Sequence, residues 1–163
     1  MISPYSFRDV SYEDLINICQ FPQDESELYF MYPKATFPLT VEQLQASVNN
    51  RLDSTVITTN SSEVIGFANF NEVVSEDYCS IGNVIINPNF RGKGAGTFLV
   101  NVMETKAIEI YNVREIHISC FNTNITGLLL YHKLGYRPYE MERRLDKKNF
   151  PIALIKMKKE IKR

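Results

Sequence analysis

The chain has 163 residues with a formal net charge of −1, enough for one full-sized domain and too few for two. Its 44% hydrophobic and 23% charged residues exclude a disordered or collagen-like chain, and no apolar run reaches the roughly 18 residues of a membrane span. Cys19, Cys79 and Cys120 are odd in number and widely spaced, which suits a reducing cytoplasm and forms neither a disulfide framework nor a zinc pattern.

Met1-Ile2-Ser3-Pro4 has no basic start and no apolar stretch behind it, so no secretory signal is expected. Residues 6–10 read as a short extended segment. Ser11 then caps a helix, with Asp14 completing a short-armed capping box and Leu15, Ile16 and Cys19 forming the apolar side. Residues 24–32, between Pro22 and Pro33, are a second helical segment. Thr40 caps a third that reaches about Arg51. The period then changes. Residues 54–59 and 63–73 are β-rich and joined by Asn60-Ser61-Ser62, and residues 77–87 are another strand, stopped by Pro88. Residues 95–111 return to helical period through Ala95, Phe98, Leu99, Val102, Met103 and Ile110. Residues 114–121 set Ile116, Ile118 and Cys120 against Glu115, His117 and Ser119, the alternation of a half-buried strand. Residues 126–134 form a short apolar helix closed by Gly135, and two strands follow at 137–146 and 152–158. This order predicts a mixed α/β (α+β) fold.

Charge divides along the chain. Residues 1–83 carry −9 and residues 84–163 carry +8, a bipolarity that offers a basic surface to an anionic ligand and an acidic one to a cationic ligand. The chemistry is densest where a strand ends at Pro88, a basic glycine turn follows (Arg91-Gly92-Lys93-Gly94) and the long helix opens. Glycines let backbone N–H groups approach a ligand closely. The helix start adds unpaired donors and the positive end of its dipole. Together with Arg91 and Lys93 this makes a phosphate or pyrophosphate cradle. It is not a nucleotide P-loop, because Gly92-Lys93-Gly94 lacks the Ser/Thr after Gly-Lys. Nor is it a dinucleotide fingerprint, because Gly92, Gly94 and Gly96 are spaced one residue short and the next strand ends at Cys120-Phe121 without a carboxylate.

Arg91-x-x-Gly94-x-Gly96 after a Pro-closed strand resembles the acetyl-CoA-binding motif of the GNAT acetyltransferase superfamily. A second element resembles the same family: Asn124, Gly127, Tyr131 and Gly135-Tyr136, at the family's spacing and in the right order. The resemblance implies a single GNAT-like domain over residues 1–163, with a variable helical front at 1–53 and a cofactor-binding core at 54–158. It implies a mostly antiparallel mixed sheet of about six or seven strands flanked by helices. It further implies direct transfer of an acetyl group from acetyl-CoA to a primary amine, small-molecule or peptide, in a ternary complex. In that scheme the backbone of Val84, Ile85 and Ile86 pairs with the pantetheine arm. The amides of Arg91, Gly92, Lys93, Gly94, Ala95, Gly96 and Thr97 hold the pyrophosphate. Asn124 contacts the arm, and Tyr131 protonates the leaving thiolate. A close approach of the cofactor also accounts for a glycine inside a helix at Gly127.

One family feature is missing. The positions corresponding to the usual Glu base look like Ser80 and Ser119, which are not bases, and Glu72, Glu76 or Asp77 are left to act through water. His117 is read as more often structural than catalytic. Asp24, Glu25 and Glu27 with Tyr29 are an acid-plus-aromatic mix that suits a cationic amine, so Glu25, Tyr29 and Glu72 are the acceptor-side candidates. No metal is expected. The alternative is a non-catalytic acyl-CoA-binding or sensor domain on the same fold. The basic tail ending Lys162-Arg163 is too short for a nucleic-acid footprint at a pI near 6.1. Neither nucleic-acid nor membrane partners are expected, while edge strands near the C-terminus offer a homodimer surface.

Overall fold

The structure is a computed structural model that describes residues 2–162; Met1 and Arg163, which belong to the start and the basic tail read above, lie outside the described residues. One seven-stranded sheet runs through it, in the order β1-β2-β3-β4-β5-β7-β6. Its strands are β1 (Tyr5–Asp9), β2 (Leu52–Thr59), β3 (Val64–Val74), β4 (Tyr78–Ile86), β5 (Glu115–Phe121), β6 (Arg137–Leu145) and β7 (Pro151–Glu160). Every neighbouring pair is antiparallel except β4 and β5. A parallel pair needs a long crossover, and helix α4 (Ala95–Tyr111) supplies it. The expected mixed sheet flanked by helices is therefore what the chain forms.

The front helices α1 (Tyr12–Ile18), α2 (Glu25–Met31) and α3 (Val41–Asn50) cover one face. Their ends follow the capping residues. The Asp14 carboxylate accepts from the Ser11 N–H at 2.7 Å, and the caps Asp24 and Thr40 accept from Glu27 N–H and Gln43 N–H. These helices bury Leu15, Ile18, Leu28 and Leu44 against Val56, Val64, Phe67 and Ile85 of the sheet. On the other face, α4 and α5 (Ile125–Lys133) bury Leu99, Val100, Met103 and Tyr131 against Ile57, Ile65, Ile81 and Ile118. The front segment is not helical throughout, since β1 adds an edge strand beside β2.

Strand β4 changes phase partway. Cys79 and Ile81 face the α4 layer, and simple alternation would put residue 85 there too. Instead Ile85 faces the front helices, while Val84 and Ile86 pack toward α4. The cause is a bulge. Gly82 pairs with Asn69 but Ile85 pairs with Phe67, so β4 holds one extra residue there, and Asn83 takes a left-handed conformation at φ 53°. Its buried side chain holds the bulge in place. Asn83 Oδ1 accepts from the Ser47 hydroxyl and from Asn69 Nδ2 at 2.9 Å, while its Nδ2 donates to the Met31 carbonyl at 2.9 Å. One amide thus ties β4 to β3, α3 and the end of α2.

The parallel pairing of β4 and β5 runs from Tyr78/Glu115 to Ile81/Ile118 and stops. Beyond it β5 continues to Phe121 beside β7, and β4 continues to Ile86 beside β3. The two strands diverge, and the backbone of Val84 to Ile86 has no strand partner on its β5 side. Among the described residues, no helix is long and apolar enough to cross a membrane, and no grouping of His, Cys, Asp and Glu could hold a metal ion.

Candidate active site

Two clefts meet where β4 and β5 part. The first, of about 610 Å³, lies between the glycine turn and α5. The second, of about 640 Å³, lies under α2 and over β4, β5 and β7. Both are lined by Phe30, Met31, Val84, Asn124 and Tyr131, so they are two ends of one passage.

The first cleft is built largely from backbone. Gly94 caps α4 at φ 84° and Gly92 stands at φ 74°, a region that other L-residues rarely adopt. A Cβ at either position would meet nothing within 4 Å, so the turn faces open space rather than packing on the protein. The first helical bond of α4 runs from the Phe98 N–H to the Gly94 carbonyl at 3.0 Å. The amides of Ala95, Gly96 and Thr97 therefore precede the helical ladder, as free donors at a positive helix end. Gly96 serves a second purpose, because a Cβ there would come within 3.0 Å of Leu130 on α5. The Tyr5 hydroxyl donates to the Lys93 carbonyl at 2.8 Å and ties the turn to β1. These residues fit a pyrophosphate ligand, since the backbone donors stand beside a turn that no protein atom covers at Gly92 and Gly94.

Most predicted cofactor residues line this first cleft: Val84, Ile85 and Ile86 on β4, Arg91, Gly92, Gly94, Gly96 and Thr97 on the turn, and Asn124 and Tyr131 on α5. Lys93 and Ala95 do not. The Lys93 ammonium turns back to the Asn89 carbonyl at 3.3 Å and lies over the Phe90 ring, and Ala95 is buried beneath the helix. The Arg91 guanidinium is engaged with protein groups. It donates to the Ile86 carbonyl at 3.1 Å and pairs with Glu27 at 2.8 Å. Glu27 thus belongs to the turn's support rather than to a bare acidic helix face.

Asn124 caps α5 by accepting from the Gly127 N–H at 3.1 Å. A Cβ at Gly127 would lie 2.7 Å from Asn124 Nδ2 and 3.0 Å from Cys120 Sγ. The chain's own cap thus already calls for a glycine here, and Gly127 also lines the first cleft. Tyr131 is buried beside Cys120 and Tyr136, with no hydrogen bond to its hydroxyl among the described residues. Burial, reinforced by Cys120, pushes its phenol well above the ordinary value, so it is protonated at neutral pH.

The second cleft is made of side chains from many elements. Ser80 and Ser119, at the expected base positions, are on its walls. Glu72 also lines it and accepts from the Tyr78 hydroxyl, which pushes that phenol up to about 12. His117 stacks on Tyr78 with ring centres 4.3 Å apart, and its Nδ1 lies 3.5 Å from the Tyr139 hydroxyl. Its Nε2 is buried without a hydrogen bond, 3.8 Å from Glu115. Burial lowers the His117 pKa; Glu115 pulls it back up and Lys158 pushes it further down. The ring is neutral at pH 7. Glu76 and Asp77 lie at the far end of β4 from the divergence.

Glu25 and Tyr29 lie elsewhere. Both line a separate cleft with Asp24, Lys147 and Lys148. The Tyr29 hydroxyl donates to the Leu145 carbonyl at 2.9 Å, and its ring stacks on Phe121. The acid-plus-aromatic set of α2 is therefore divided between two other places. Sequence reading passed over Arg51 and Asn83. Arg51 ends α3 with nothing local to mark it, whereas Gly82-Asn83 inside a strand is a bulge signal.

The family model described as Acetyltransferase (GNAT) family matches residues 15–136. Solved structures share the fold. Spermidine N-acetyltransferase from Vibrio cholerae, in complex with CoA and spermine, superposes with a TM-score of 0.78 at 18% identity, over 98% of this chain and 96% of that one. A GNAT-family acetyltransferase from Bacillus anthracis gives 0.79 at 15% identity, over 98% and 96%. The ribosomal-protein-S18-alanine N-acetyltransferase of Escherichia coli gives 0.74 at 17%, over 98% and 95%. No curated protein sequence matches the chain. Identities this low carry the fold alone, but the family model spans three quarters of the chain, from α1 through both motifs to Tyr136, and on that match the chain belongs to the GNAT acetyltransferase family.

Proposed function

We propose that the protein is an N-acetyltransferase that passes an acetyl group from acetyl-CoA directly to a primary amine, both bound at once in the two joined clefts. The observation that carries this reading is the parting of β4 from β5 beside the glycine turn. It leaves a strand edge, a phosphate cradle and a buried phenol in one passage. Acetyl-CoA supplies an activated acetyl thioester. The amides of Gly96 and Thr97 bind its pyrophosphate. The free edge of Val84 to Ile86 pairs with the amide-bearing arm as a strand would, and an N–H of that edge faces the thioester oxygen.

Tyr131 Oη then moves a proton to the departing sulfur. A thiol near pKa 8.5 leaves more easily with a donor in place. The phenol reaches the step protonated, as any phenol does near neutrality; burial makes it a weaker acid, so it donates only as negative charge develops on the sulfur. On the acceptor side an ammonium must lose a proton before attack. His117 is the group there whose ordinary pKa lies nearest neutral, and burial leaves it unprotonated. Its Nδ1 beside Tyr139 takes that proton, directly or through water. The neutral amine adds to the thioester carbonyl, the C–S bond breaks as Tyr131 protonates the sulfur, and the second proton of the nitrogen returns through water to the Tyr131 oxygen; the products are amide, free thiol and the one proton that His117 releases to solvent.

Calorimetric titration with acetyl-CoA and with CoA, followed by a thiol-release assay over pooled amines, tests this reading. Binding with release is expected. Binding without release on any amine would favour an acyl-CoA-binding sensor, and absence of binding would remove the cradle assignment.

A further inference from the structure

We infer that the acceptor is a small amine that also carries a carboxylate, an amino acid in chemical class, and that Arg51 is the residue that receives that carboxylate. The inference rests on the transferase reading and goes further, since it names the acceptor.

The charges of the second cleft are the starting point. Four cations line it, Lys34, Arg51, Arg144 and Lys156, against two carboxylates, Glu72 and Glu142. Both carboxylates are already engaged. Glu142 lies 3.2 Å from Arg144 and 3.4 Å from Lys156, and Glu72 accepts from the Tyr78 hydroxyl. No carboxylate among the described residues pairs with Arg51. Its one protein hydrogen bond is a long one, from Nη1 to Asn69 Oδ1 at 3.3 Å, and Tyr32 lies under it with the ring centre 5.9 Å away. Burial pulls its pKa down with no carboxylate to oppose it.

The guanidinium leaves most of its five N–H groups without a protein acceptor, and none of them is sealed in the core, so they are open to the cleft and to an anion that enters it. The fold makes room for it to reach the cleft. Arg51 Nη1 lies where a Cβ on Gly82 would sit, at 2.5 Å, so the glycine beside the bulge lets the guanidinium lie on the strand. Gly82 directly follows Ile81, where β4 leaves β5. The planar fork therefore stands next to the divergence, with the geometry that matches a carboxylate by two parallel bonds. A cleft of about 640 Å³ has the size of a small-molecule site. A polycation would meet a net positive wall, which reverses the cationic-amine preference expected from the acids of α2.

The test compares acceptors that differ only in the anion. With the full-length protein and saturating acetyl-CoA, thiol release is measured for the free amino acids, their α-amides, short peptides and spermidine. An amino acid should be used about thirtyfold better than its amide, the scale of one charge-assisted pair. Arg51→Met should remove that preference by raising KM for the acid alone, with acetyl-CoA affinity unchanged, and Arg51→Lys should restore part of it. Equal use of acid and amide, best use of spermidine or of a peptide, or an Arg51→Met effect of equal size on both acceptors would overturn the inference. Failure of the transferase reading looks different: no thiol release on any amine. Titration of the amino acids and amides into the CoA-bound protein then decides the Arg51 site alone, since preferential binding of the acid, lost in Arg51→Met, supports it and equal binding refutes it.

Discussion

The two clefts that meet at Tyr131 are made of different material. The first is backbone: amides at the start of α4, a free strand edge and a turn held in left-handed conformations by Gly92 and Gly94. The second is side chain: Arg51 from the end of α3, Glu72 and Tyr78 from the β3–β4 hairpin, His117 from β5, and Tyr139, Glu142 and Lys156 from the last two strands. A backbone site binds what every copy of a fold must bind, because its donors depend on geometry and hardly on side-chain identity. A side-chain site can be rewritten one residue at a time without disturbing the sheet.

Substitutions can break or sharpen that contrast. The largest effect is expected where the clefts join. Tyr131→Phe should lower turnover roughly a hundredfold or more, the usual worth of a proton donor, with the dissociation constant for acetyl-CoA nearly unchanged; unaltered turnover would remove Tyr131 from the mechanism. Next comes the backbone side. Gly94→Val forces a β-branched residue to φ 84° and fills open space beside the free amides. It should weaken acetyl-CoA binding by about ten- to a hundredfold, in line with a few kcal/mol of backbone strain, as read by calorimetry. Little change in acceptor KM at saturating acetyl-CoA would show that the two sites are separable.

A smaller effect is expected on the side-chain side. The neutral His117 takes up a proton as pH falls through a pKa below the ordinary imidazole value. Activity should therefore hold near neutrality and decline below about pH 6.5. His117→Gln should flatten that acid limb and lower the plateau by about tenfold, the low end for a general base. An unchanged pH profile would return the proton to water. The smallest effect should touch neither cleft. The Tyr136 hydroxyl donates to Glu104 at 2.9 Å, and the same carboxylate is held by Lys159 at 3.0 Å. Since Lys159 remains, Tyr136→Phe should cost only about 1 kcal/mol. That is a fall of roughly 2–4 °C in Tm by calorimetry for a chain this size. A much larger loss would mean that Lys159 alone does not satisfy the buried acid.

The chain order of the elements was legible because each rests on a local signal. Ser11 and Thr40 cap the helices they were expected to cap, the segment expected at 24–32 forms α2, and α4 spans the expected 95–111. The glycine turn was legible for the same reason, since neighbouring residues build it. The second cleft was not. Glu25, Glu27 and Tyr29 are neighbours on α2, yet the fold sends Glu27 to Arg91 and puts Glu25 and Tyr29 on a third cleft, with Tyr29 held by Leu145 and Phe121. The phase change at Asn83 was legible only in part: Gly82-Asn83 inside a strand marks a bulge, but period-two alternation does not say which layer the residues beyond it face.

Local patterns by themselves determined the strands, the caps and the glycine turn, all of which arise from residues within a turn or two of one another. Only the tertiary structure decided where β4 leaves β5, which of its residues face each layer, and that Arg51 stands without a carboxylate beside that opening. Those facts depend on contacts between residues far apart in the chain, such as Asn83 with Ser47 and Met31. Such contacts are set by packing two layers onto one sheet, and spacing along the sequence does not encode them.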